Sequence, residues 1–351
     1  MDLAPAKVQK SLSDVFSLVS SSVPALKPRD RYINLLDPKE NPVTALEVCN
    51  DKIIIGFSSG QVNIYKIMDL QCETLLRYCQ DRAKVTLLQC TCTEIIAAYS
   101  YGSICVWKIE SGKLLQTLIG HSQTIYEEVT CLRWRKPYLV AGKSNEKIQI
   151  WQQTDGNAAF TSLGQWDSNV KNVNQVDLYL DYVIVKGNYS DDKLVFHGPP
   201  RGAPHSAHNV NVFHFNGNPV RTIGDNWQTH EIVVHDGHLI GAGADKALRV
   251  WDVRTGHLLV QLDGHQSRVQ RMAAMSDFII SGDHLGEIIV WNLEAALKGE
   301  LALVMRINDS DWPRRRSRTS TMHQGTRGRI FLGRNWLLTW SGDIIKVTDF
   351  L

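Results

Sequence analysis

A chain of 351 residues, 43% hydrophobic and 21% charged, has the material for one large globular architecture or two ordinary domains. A formal charge of +2 excludes a whole-molecule field that gathers nucleic acid or anionic lipid, so any basic partner site must be local. Seven cysteines without a C-x-x-C pair suit neither a zinc site nor a redox motif, and in their apolar surroundings they point to a reducing compartment, cytoplasm or nucleus.

The N-terminal stretch has no signal-peptide core, and no segment reaches the roughly 18 apolar residues of a membrane span, so no membrane partner is expected. Val8, Leu12, Val15 and Val19 fall at the spacing of an amphipathic helix, one that either covers a neighbouring surface or docks on a partner. Arg31–Leu36 reads as a strand.

From residue 43 onward the chain repeats itself. V-T-x-L occurs at Val43–Leu46, Val85–Leu88 and Val129–Leu132, with 42 and 44 residues between successive valines, and looser copies follow at Val173–Val176 and Val269–Met272. In phase with it runs an apolar-x-apolar-aromatic segment: Val62–Tyr65, Ile104–Trp107, Ile148–Trp151, Val210–Phe213, Leu248–Trp251 and Ile288–Trp291, with a weakened copy at Ile345–Thr348. A further apolar strand lies between each pair of landmarks, for example Ile53–Phe57, Tyr138–Gly142 and Phe278–Gly282. Hairpin-type residues such as Asn50-Asp51, Asp236-Gly237, Ser276-Asp277 and Arg334-Asn335 precede several of these strands. A fourth strand follows each aromatic, clearest in Asp252–Leu262. Four short strands every forty-odd residues, seven times over, predict propeller blades.

The period breaks twice. Phe213 follows Trp151 by 62 residues, the excess being Asn188–His208, and Thr348 follows Trp291 by 57, the excess being Asn308–Gly328. One insertion falls between the second and third strands of blade four, the other between the outer strand of blade six and the inner strand of blade seven. Because antiparallel strands send alternate loops to alternate faces, both insertions are expected on one face.

Trp251–Gly256 (W-D-V-R-T-G), the Gly120-His121 and Gly264-His265 pairs, and Ser281–Trp291 together resemble the WD-repeat family over roughly residues 30 to 351. The resemblance implies an all-β, seven-bladed WD40 β-propeller closed by an N-terminal strand. Residues 1–30 would form an extension, and residues 31–351 would form the ring, with insertions at 188–208 and 308–328. It also implies a His, Ser/Thr, Asp, Trp tetrad in each blade, which this chain keeps poorly. Asp245 is well placed ahead of Trp251, but the expected Ser/Thr position is Gly243, and the second blade holds Tyr99 and Tyr101. Several blades are therefore expected to rely on apolar packing.

Arg314, Arg315, Arg316 and Arg318 form the one dense basic run. It suits an acidic peptide, with Ser317 as a phosphorylation site beside it, or it is a solvated loop. No interleaved aromatic platform accompanies it, which disfavours nucleic acid. Trp251, Asp252 and Arg254 match W-D-x-R, a pattern associated with propellers that serve as substrate receptors of cullin-RING ubiquitin ligases, although it is common in ordinary repeats as well. His230 and His235 are spaced one residue too far for a zinc-protease motif, His197, His205 and His208 are too loosely spaced for ligands, and Gly241-Ala-Gly243 lacks the rest of a dinucleotide loop. No catalytic residue, cofactor or metal is expected. The sequence points to a non-catalytic scaffold that binds proteins or peptides, with the ligase receptor as the alternative.

Overall fold

Alternating apolar side chains make each repeat a stack of half-buried and fully buried strands. In the computed structural model the described residues are 29–33, 41–77, 83–118, 128–154, 159–170, 172–187, 210–224, 229–308, 329–332, 336–341 and 344–349. They form seven four-stranded antiparallel sheets, an all-β propeller. Blade one comprises β2 (Val43–Cys49), β3 (Lys52–Phe57), β4 (Gln61–Lys66) and β5 (Cys72–Arg77). Blade two comprises β6 (Val85–Cys90), β7 (Glu94–Tyr99), β8 (Ile104–Lys108) and β9 (Leu114–Leu118). Blade three comprises β10 (Val129–Arg135), β11 (Tyr138–Lys143), β12 (Lys147–Gln153) and β13 (Phe160–Asp167). Blade four comprises β14 (Val173–Tyr179), β15 (Tyr182–Gly187), β16 (Val210–His214) and β17 (Pro219–Ile223). Blade five comprises β18 (Thr229–His235), β19 (His238–Gly243), β20 (Leu248–Asp252) and β21 (Leu258–Leu262).

Blade six comprises β22 (Val269–Met275), β23 (Phe278–Asp283), β24 (Glu287–Asn292) and β25 (Leu303–Asn308). Between its last two strands lies the helix α1 (Leu293–Leu297), which the strand periodicity does not reveal. Its N-cap is Asn292, whose side chain accepts from the Ala295 N–H at 2.9 Å. Blade seven comprises β26 (Arg329–Leu332), β27 (Trp336–Ser341) and β28 (Ile344–Asp349), completed by β1 (Arg29–Tyr32).

The V-T-x-L motif has a structural cause. In the inner strands of blades one, two and three the register slips by one residue at the threonine, a β-bulge that adds local twist. The hydroxyls of the bulged Thr44, Thr86 and Thr130 donate back to the Gly56, Ala98 and Gly142 carbonyls at 3.1–3.2 Å. The next blade's valine then presses on the second strand. A Cβ at Gly142 would lie 2.7 Å from Val173 Cγ1, and one at Gly56 would lie 2.5 Å from Val85 Cγ1, so both positions require glycine for close approach.

Side chains also satisfy the inner strands' free edges. The Trp134 N–H donates to Gln89 Oε1, Ile232 N–H to Gln175 Oε1, Val234 N–H to Asp177 Oδ2 and Met272 N–H to Glu231 Oε2, at 2.7–3.2 Å. Each acceptor belongs to an earlier blade, so backbone donors facing a neighbouring blade keep their partners. Asp177 is buried and also receives Arg133 and Arg135, both at 2.9 Å. Burial pushes its carboxyl pKa up, but the two guanidiniums more than offset this and hold it below the usual carboxylate value.

The ring closes as expected by an N-terminal strand, but that strand is Arg29–Tyr32 rather than Arg31–Leu36. Arg31 pairs with Val347, and its guanidinium forks onto Asp349 at 2.6 and 2.8 Å. Its remaining nitrogen donates to the Ile67 and Met68 carbonyls of blade one. Thr348 donates to Asp30 at 2.7 Å. These contacts set the register, and Ile33, its N–H donating to the Ile345 carbonyl at 3.1 Å, joins Val43, Leu46, Leu338 and Trp340 in the core between blades seven and one. Residues 34–36 and the helix expected over residues 8–19 lie outside the described residues.

Candidate functional site

The two insertions expected from the sequence fall between described strands, with Asn308 still paired to Glu287 inside β25. Gly187 and Val210 end β15 and begin β16, and Asn308 and Arg329 end β25 and begin β26. Second-to-third-strand and outer-to-inner connections share a face of an antiparallel propeller, so both insertions depart from the same side. Arg314, Arg315, Arg316, Ser317 and Arg318, like His197, His205, His208 and Gly120-His121, lie outside the described residues.

On the opposite face, the turn between β20 and β21 carries the W-D-x-R residues. Trp251 is 6% exposed and packs among Ile184, Val210, Val212 and Ile223 of blade four, so its indole is a packing group between blades. Asp252 is half-buried and accepts from the Thr255 N–H at 2.6 Å. That hydrogen bond is the main cause holding its carboxyl below the usual range. Arg254 is exposed, the most open of the three. His230 is the bulged residue of β18, while the His235 ring bonds the Ser276 carbonyl at 2.5 Å, so the two histidines do not converge. Six cysteines are described and all are free thiols. Burial pushes the Cys131 thiol up to about 12, which leaves it protonated and inert.

The most organised polar cluster is in blade six, on the Gly264-His265 and Ser281–Trp291 segments. Trp291 Nε1–H donates to Ser281 Oγ at 2.8 Å, and His265 Nε2 lies 2.6 Å from the same oxygen. Gly264, ahead of the histidine, is required by space, because a Cβ there would sit 2.9 Å from the Trp291 ring. Ser281 is opposite Ile289 and ten residues before Trp291. The equivalent residue of blade five is Gly241, opposite Arg249, and not Gly243. Asp245, for its part, is ion-paired with Arg249 at 2.7 Å. In blade six the acids stand at other positions: Asp283 and Glu287 approach His265 Nδ1 at 3.8 and 3.6 Å. Burial is the largest effect on His265 and lowers its pKa, favouring the neutral ring; Asp283 and Glu287 oppose that and Arg306 reinforces it.

With this geometry in view, the chain compares with known proteins as follows. It is 23% identical over 267 residues to Autophagy-related protein 16 of Arabidopsis thaliana, covering 71% of this chain and 47% of that protein. The chain thus spans about half the length of the curated relative it matches. Its fold superposes on the computationally designed Ika8 protein with a TM-score of 0.57 at 19% identity, covering 91% of this chain and 99% of the other. That likeness is one of fold alone. No protein-family model matches the chain. No helix among the described residues is long and apolar enough to cross a membrane.

Proposed function

We propose that the chain is a WD-repeat propeller acting as a non-catalytic platform for partner proteins or peptides in the cytoplasm or nucleus. What supports this reading is the strand topology: the β15–β16 and β25–β26 connections, where the sequence has its two excess segments 188–208 and 308–328, share one face of the ring, and loops there gain binding variety without disturbing the fold. The partial likeness to an autophagy-related protein supports the WD-repeat assignment. Arg314, Arg315, Arg316 and Arg318 favour an acidic segment as the partner, and phosphorylation of Ser317 would weaken that attraction.

The test is affinity purification with mass spectrometry of the intact chain, of one lacking residues 308–328, and of one with Arg314, Arg315 and Arg316 changed to Glu. Partners lost from both variants at unchanged thermal stability support the reading. An identical partner set, or a loss that tracks a fall in melting temperature, refutes it. A second reading, a substrate receptor of a cullin-RING ligase, draws on the exposed Arg254. It requires an adaptor that copurifies with the intact chain and is lost on Arg254→Ala.

A further inference from the structure

His265, Asp283 and Glu287 come from two connections of blade six that share the insertion-bearing face. His265 lies between β21 and β22, and the two acids flank the β23–β24 turn. One atom from each (His265 Nδ1, Asp283 Oδ2 and Glu287 Oε2) meets the others within 4.8 Å. All three atoms are buried and have no hydrogen-bond partner among the described residues. The His265 and Asp283 side chains are 0% exposed, and that of Glu287 is 17% exposed.

The other atom of each group is already held by the protein. Asp283 Oδ1 accepts from the Leu285 and Glu287 N–H groups at 2.8 and 2.9 Å, and Glu287 Oε1 accepts from Arg306 at 2.6 Å. Ser281 Oγ, which receives the Trp291 N–H, can point its proton to the Ile289 carbonyl at 3.5 Å. It then accepts from His265 Nε2–H, leaving Nδ1 as a bare lone pair aimed at two carboxylate oxygens. Such an arrangement repels itself. A proton on Nδ1 would ease this, but one N–H reaches only one of the two oxygens, and both stand beyond hydrogen-bond distance at 3.6 and 3.8 Å. Each group is oriented by a second contact, as ligands of a metal site are.

We infer that His265, Asp283 and Glu287 form a divalent-cation site on blade six, with zinc the metal whose chemistry suits it. Zinc takes imidazole nitrogen and carboxylate oxygen at about 2.0–2.2 Å, which sets ligand atoms roughly 3.3–3.5 Å apart in a tetrahedron. The 3.6 and 3.8 Å separations from Nδ1 require contraction of only a few tenths of an ångström, and the two carboxylate oxygens, within 4.8 Å of each other, close the remaining edge. Two carboxylates face the dication, one of them shared with Arg306, and the partly exposed Glu287 marks the route of entry.

The experiment takes the full chain through a chelator and then equilibrates it with zinc chloride, reading bound zinc by mass spectrometry and stability by thermal melting. One zinc per chain is expected, with a melting-temperature rise of about 3–4 °C at zinc a hundredfold above its dissociation constant. Both effects should vanish in Glu287→Gln and in Asp283→Asn. If Asp283→Asn does not fold, Glu287→Gln, at the partly exposed rim, decides the matter alone. No uptake by the unaltered chain overturns the site. Uptake that survives Glu287→Gln places the zinc elsewhere, on the free cysteines for instance, and overturns it equally.

Discussion

Blade two and blade six hold the same tryptophan in opposite ways. Trp107 and Trp291 occupy equivalent places on β8 and β24, are 5% and 2% exposed, and each packs against apolar residues of the preceding blade. Trp291 donates its N–H to Ser281, whereas Trp107 Nε1–H finds no acceptor among the described residues. The residue equivalent to Ser281 is Ala97, opposite Cys105 as Ser281 is opposite Ile289. Tyr99 and Ser103 stand where blade six has Asp283 and Glu287. A blade therefore forms without the polar bracket, and the indole's area alone holds it in place. A buried, unpaired N–H costs roughly 1–3 kcal/mol, which burial of an indole of about 200 Å² outweighs.

The largest expected effect is on the shared term. Trp107→Ala and Trp291→Ala should each destabilise the ring by about 3–5 kcal/mol, measured by urea unfolding, because both empty an inter-blade pocket. Trp251→Ala belongs in the same class. If Trp107→Ala were nearly neutral, the claim that packing dominates in blade two would be broken.

Asp177 supplies a charged counterpart to the blade-six bracket. Asp177→Asn should cost about 3 kcal/mol at neutral pH, since it uncouples Arg133 and Arg135 from a buried charge. The Asp177 carboxyl is held below its unfolded value, so its contribution is complete above about pH 4 and is lost as pH falls through the folded value. Urea titrations from pH 7 to pH 3 should show the difference between the two proteins shrink. A gap that stayed constant to pH 3 would remove the charge argument.

Ser281→Ala should cost roughly 1–3 kcal/mol, because it strands the Trp291 N–H and His265 Nε2 in the interior. The reverse change, Ala97→Ser, gives Trp107 an acceptor and is expected to be neutral or stabilising by up to about 1 kcal/mol. Equal and opposite signs in the two blades would make the bracket transferable between them. Arg254→Ala, on an exposed turn, should move stability by well under 1 kcal/mol, and it serves as the baseline for all of these measurements.

The ring was legible because its signals are local and repeat. A bulged threonine and an aromatic anchor recur at the same spacing whether or not the rest of the blade is conventional, as Thr44, Thr86 and Thr130 show. The acids of the blade-six cluster were not legible, because a template that puts the acid six residues before the tryptophan selects Asp245 in blade five and Leu285 in blade six. The acids that approach His265 stand eight and four residues before Trp291. Gln89, Gln175, Asp177 and Glu231 were equally hidden. A polar residue on an inner strand reads as facing solvent or a channel, and only the neighbouring blade's backbone reveals it as an acceptor. The short α1 was missed because five residues after a strand carry no helical period.

The clasp between β1 and β28 bears on how the molecule is made. Arg31 and Asp349 are 318 residues apart, so at roughly 5–20 residues per second a ribosome needs between about a quarter of a minute and a minute to deliver the second after the first. Throughout that interval the Arg29–Tyr32 strand has no sheet to join, and the apolar flank of blade one that will meet Leu338 and Trp340 faces water. Few contacts in a chain this long span so much sequence, and ordering them last is the slow route that loop-closure entropy imposes. The nascent ring is thus an open arc with an unpaired strand edge at its growing end, the state in which a chaperone has most to offer and in which two neighbouring chains on one message can exchange first strands.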